Sequence, residues 1–114
     1  MKRLALIAVL MLLSSPASSD FTGNYLSEAF DKCGALTESS VSSNEWCSFI
    51  VGYFTAAYDY QTIWRMTCLP DQVSVIQLAK VTEKWLKEHP EELHNTRRYI
   101  VDKAIEEAFP CEDE

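Results

Sequence analysis

The stretch SSNEWCSFIVGYFTAAYDYQTIWR, residues 42–65, decides the fold. Ser42 and Glu45 stand in the S-x-x-E relation of a capping box, in which each side chain satisfies an amide donor that a helix start leaves orphaned. A helix is therefore expected from near Asn44 to about Arg65. Trp46, Ile50, Tyr53, Ala57, Tyr60 and Trp64 recur along it at helical spacing, and Phe49, Val51, Phe54 and Tyr58 widen the stripe beyond one face. A helix apolar nearly all round has to be covered nearly all round. It is either the central helix of a bundle or part of a surface on which the chain associates with itself. The aromatic stripe reads as core packing in preference to a ligand box.

Three more helices flank it. Upstream, Tyr25, Leu26, Ala29, Phe30 and Cys33 give one apolar face over Asn24–Cys33, and Gly34 is a natural stop. Ala35–Ser43 is Ser- and Thr-rich without period and reads as a loop. Downstream, Met66–Val73 is a second loop. Ser74 with Gln77 forms another capping box, Val73 with Leu78 has hydrophobic-staple spacing, and the third helix runs to about Glu88. It buries Val75, Leu78, Ala79, Val81, Trp85 and Leu86, leaving Lys80, Lys84 and Lys87 as a solvated face. Pro90 suits the first position of a fourth helix, where Glu91 and Glu92 complement the dipole. That helix turns Leu93, Ile100, Val101, Ala104, Ile105, Ala108 and Phe109 inward and stops at Pro110. The fold class expected is all-α: a small, disulfide-stapled, four-helix up-and-down bundle.

The first nineteen residues stand apart. Lys2 and Arg3, the apolar run Leu4–Leu13 and the small polar Ser14–Ser19 are the three regions of a secretory signal peptide, and ten apolar residues are too few to span a bilayer core of about 30 Å. Residues 1–19 are thus expected to be cleaved, leaving one domain, 20–114. Of 114 residues, 17 are Asp or Glu and 10 Lys or Arg, a net charge of −7, and removing Lys2 and Arg3 makes it −9. So acidic a chain is no partner for nucleic acid. With 47% hydrophobic residues it is also too apolar for disorder.

Cys33, Cys47, Cys68 and Cys111 make an even count, which in an exported domain of this size reads as two disulfides. Cys47 and Cys68 lie 21 residues apart along a straight helix, roughly 31 Å, far beyond a disulfide's reach. In an up-and-down bundle the end of the first helix meets the start of the second, which pairs Cys33–Cys47 and leaves Cys68–Cys111 at the opposite pole. Cys33–Cys68 would join opposite poles.

Catalytic patterns are thin. The sequence holds no G-x-S-x-G, no H-E-x-x-H, no phosphate-cradling glycine loop and no CxxC spacing. His89 and His94 straddle a helix boundary. The adjacent pairs Glu91–Glu92 and Glu106–Glu107 point to different faces and make no acid/base couple. No enzyme, metal or cofactor is expected.

Cys47-x5-Tyr53, then Cys68-Leu69-Pro70, then Trp85-Leu86-Lys87-Glu88-His89-Pro90-Glu91, and finally Ala108-Phe109-Pro110-Cys111 occur in an order and spacing that resembles the Rap/Tai family of type VI secretion immunity proteins. The likeness covers roughly Asn24–Cys111. It implies a periplasmic antitoxin without catalysis, which blocks a cognate toxin, typically a peptidoglycan amidase or endopeptidase, and which in several members is a homodimer that plugs the toxin's groove with a protruding loop or helix end. The alternative is an acid-stress chaperone resembling HdeA-type proteins, or another non-catalytic periplasmic binding protein. The two disulfides speak against an acid-driven opening. For the partner-binding surface, the Met66–Val73 loop is tethered by Cys68 and stiffened by Pro70, and an ordered loop loses less entropy on insertion. Met66, Leu69 and Asp71 are its expected contacts, with His94 and Arg97 as the second surface.

Overall fold

The computed structural model describes residues 21–37, 44–64 and 68–112. Four helices follow one another: α1 (Gly23–Cys33), α2 (Glu45–Trp64), α3 (Val75–Glu88) and α4 (Arg97–Ala108), with a 3₁₀ turn, Pro90–Glu92, between the last two. Among the described residues the sole extended pairing is a single antiparallel bridge, Thr22 to Thr96. The expected leader, residues 1–19, lies outside the described residues.

Local chemical signals mark several of the helix ends. In α1, Leu26, Ala29, Phe30 and Cys33 are buried at the i, i+3, i+4, i+7 spacing of one face. Gly34 then takes φ 79°, where a side chain would be strained, and donates its N–H to Phe30 O at 3.0 Å. Asn44 Oδ1 accepts from Cys47 N at 3.0 Å at the start of α2, while Ser42 of the expected capping box lies outside the described residues. Ser74 Oγ accepts from Gln77 N at 3.0 Å to start α3. Lys80, Lys84 and Lys87 are exposed as expected, the last two in i, i+4 ion pairs with Glu88 and Glu83.

Two expectations need correcting. Pro90 opens only a 3₁₀ turn, and α4 begins seven residues later, capped by Thr96 Oγ1, which accepts from Tyr99 N at 3.3 Å. The intervening backbone is occupied elsewhere: Leu93 O accepts from Asn24 N and Asn95 O from Gly23 N, both at 2.9 Å, so these carbonyls clasp the start of α1. Gly23 permits that approach. A Cβ there would collide with Ile100 Cδ1 and lie 3.1 Å from Leu93 O. The second correction concerns α2. Its buried residues are Cys47, Ile50, Phe54 and Gln61, whereas Trp64 is 67% and Ile63 72% exposed. The core line is thus rotated from the aromatic stripe, and the stripe's C-terminal end faces out. Ala108 of α4 is likewise exposed.

Both expected disulfides are present, Cys33–Cys47 and Cys68–Cys111, with Cα separations of 4.7 and 5.0 Å. At 11 residues α1 is too short to run the length of the 20-residue α2, and lies across its first half. Tyr25 packs on Trp46 and Phe49 there, and Phe30 on Phe54. Helix α3 packs on both α2 and α4. Trp85 is pinned on α4 by donating its indole N–H to Glu107 Oε2 at 2.8 Å, while His89 stacks on its ring. Helices α2 and α4 run in the same direction and are bridged by side chains, in turn Tyr53 with Arg97 and Gln61 with Asp102, and beyond the helix ends by Cys68 with Cys111.

Candidate functional site

The five expected contact residues divide between two places. Met66 lies outside the described residues. Leu69 is half-buried against the core, so it closes the end of the bundle, while Asp71 is exposed at the turn that follows Pro70. This loop is held at both ends: Cys68 is bonded to Cys111, and Val73 is buried with its N–H donated to Pro70 O at 3.2 Å. Asp71 thus stands exposed between two anchored residues, Cys68 and Val73. His94 is exposed on the segment between the 3₁₀ turn and α4, and Arg97 stands in the first turn of that helix. The two surfaces are apart, because Arg97 meets α2 at Tyr53, about 16 Å of helix before Trp64, with Cys68 further on.

Arg97 belongs to a larger arrangement. Its guanidinium lies over the rings of Phe21, Phe49 and Tyr53, 4.7 Å from the last, and donates to the Tyr53 hydroxyl. Burial raises the Tyr53 phenol above its ordinary value, opposed by the charge of Arg97. One residue on, Arg98 lies 4.2 Å over Tyr60 and 3.9 Å from the Asp102 carboxylate. Between these side chains, along the seam of α2 and α4, runs a groove of about 550 Å³, walled by Tyr53, Ala57, Tyr60 and Val101. Its polar floor is Gln61, which donates from Nε2 to Asp102 Oδ1 at 2.6 Å. Gln61 is 1% exposed and its Oε1 has no partner. Burial raises the Asp102 carboxyl above the usual carboxylate range, against the lowering pull of Arg98 and the Gln61 hydrogen bond.

Reading the sequence named Arg97 but missed the groove. Its signals were present: a glutamine inside the most apolar helix, and an Arg98–Asp102 pair at i, i+4. The groove gathers rings, guanidinia and one partly shielded carboxyl, with no nucleophile beside a base. Among the described residues no three His, Cys, Asp or Glu side chains come together to hold a metal ion, and all four cysteines are bonded to one another.

The profile of the Rap1a immunity proteins matches residues 22–111, which takes in every helix of the described residues and both disulfides. The chain belongs to the Rap1a immunity protein family. No curated protein and no solved structure matches it significantly. The two disulfides are bonds of the kind that persist in an oxidising compartment. Among the described residues no helix is long and apolar enough to cross a membrane.

Proposed function

We propose that this Rap1a-family protein is exported to the periplasm, loses residues 1–19 there, and binds and neutralises a type VI secretion toxin, a peptidoglycan amidase or endopeptidase. The family match over residues 22–111 carries the reading. Neutralisation is by occupation: the protein is no enzyme, works as a homodimer, and covers the toxin's groove. The mature chain's net charge of −9 steers it toward a basic toxin and speeds encounter. The contact is the disulfide-held loop that presents Asp71, together with Met66 and Leu69, and His94 with Arg97 forms the second surface.

The test takes the product of the adjacent reading frame, which this reading expects to be a small protein with a catalytic Cys and His, and directs it to the periplasm of a sensitive cell. Co-expression of this protein should restore growth, and the purified pair should form a complex. A toxic neighbour that is neither bound nor neutralised defeats the reading. Within it, Asp71→Lys reverses an exposed charge without touching the core and should weaken binding by about 2 kcal/mol, roughly thirtyfold. If that variant binds and protects as the parent does, the Asp71 loop is not the contact.

A further inference from the structure

The groove between α2 and α4 has its own chemistry, opposite in sign to the rest of the molecule. A chain of net charge −7 places two arginines in succession, Arg97 and Arg98, at the mouth of an apolar cavity of about 550 Å³, within the size range of small-molecule sites. Each guanidinium is held over an aromatic ring, Arg97 4.7 Å from Tyr53 and Arg98 4.2 Å from Tyr60, which places both cations at the opening of the groove. The single acid, Asp102, is taken up from below by Gln61 at 2.6 Å and faced by Arg98, so the guanidinia set the sign at the opening. Depth comes from Ala56 and Ala57, whose small side chains leave the space between Tyr53 and Tyr60 unfilled.

We propose that this groove is a binding site for a small single-chain anionic amphiphile: an apolar tail lies between Tyr53, Tyr60 and Val101, and a carboxylate meets the guanidinia of Arg97 and Arg98. The groove lies apart from the Asp71 loop and shares only Arg97 with the second toxin surface, so the Asp71→Lys result and the decanoate result are read separately. An Arg–carboxylate contact over an apolar slot combines a charge-assisted hydrogen bond with tail burial, so that head and tail are both required.

Decanoate is the probe, with decan-1-ol and decylammonium as head-group controls, titrated into the full mature protein below micelle-forming concentration and followed by NMR shifts and calorimetry. Decanoate should bind saturably at one site per chain, at least about tenfold tighter than either control, with shifts confined to α2 and α4. Arg98→Gln, at a position 63% exposed, should weaken decanoate by about fivefold while leaving decan-1-ol unchanged. Ala56→Trp fills the slot from an exposed helical position and should abolish binding with the circular dichroism and melting temperature retained. No saturation, equal affinity for the three head groups, or undiminished binding by Ala56→Trp overturns the proposal. So does sedimentation in which Ala56→Trp dissolves a dimer that decanoate leaves intact, since the groove then joins two copies of the chain.

Discussion

Glycine 23 shows how one missing methyl group sets a contact between helices. Adding a Cβ there forces apart Ile100 and the Leu93 carbonyl, the second of which is backbone already bonded to Asn24 N. Gly23→Ala should cost about 1–3 kcal/mol in urea unfolding, as overpacking does. Gly52→Ala is the matched control: nothing lies within 4 Å of its Cβ, so the same change in mid-helix should stabilise by up to about 1 kcal/mol. Asp102 makes the complementary electrostatic case. Its folded pKa is raised above the usual 3.8, so the folded state holds the proton more tightly than the unfolded chain, and this group's contribution weakens as pH climbs from 3.8 through the folded value. Asp102→Asn keeps an oxygen for Gln61 Nε2. Its melting temperature, measured against the parent from pH 3 to 7, should gain relative to the parent as pH rises, with the change lying just above pH 3.8; a gain confined to lower pH contradicts the sign. Gly23 was not legible as special in the sequence, because it is ordinary until Ile100 is beside it.

At the scale of elements, capping chemistry was legible and its partners less so. Ser74 and Thr96 cap through their hydroxyls, as residues of that type do, yet α2 is capped by Asn44. Asn44 also satisfies the capping rule, and its carbonyl accepts from Ser48 N at 3.1 Å, in helical register, at the start the sequence placed there. Asn44→Ala should destabilise the protein by about 1 kcal/mol, measured by denaturant midpoint at unchanged slope. The late start of α4 was illegible for a different reason. Pro90, Glu91 and Glu92 make a sound helix start by local rules, but the carbonyls of Leu93 and Asn95 bond to α1, and a carbonyl committed there does not propagate a helix.

Over the whole molecule the two disulfides act on the unfolded chain. They close loops with sequence separations of 14 and 43 residues, which on the chain-entropy model contribute roughly 3 and 4 kcal/mol. For a single small domain whose total stability is on the order of 5–15 kcal/mol, that is a large share. Replacing Cys68 and Cys111 together by alanine should lower stability by about 4 kcal/mol and free the Asp71 loop, raising its amide exchange while α1 and the start of α2 keep their protection. If exchange rises uniformly instead, the second staple supports the whole bundle and not one pole.

Composition, apolar period and cysteine spacing by themselves determined the all-α class, four helices and both disulfides. These follow from local rules of capping and periodicity and from the length of one straight helix, which keeps Cys47 from Cys68. Tertiary structure alone decided that Gln61 is core and Trp64 surface, that Arg97 and Arg98 lie on the rings of Tyr53 and Tyr60, and that a groove opens there. The reason is geometric. A helix apolar nearly all round does not specify its buried face, which is chosen by whichever neighbours arrive, here α1 and α3 on one side and α4 beside the other.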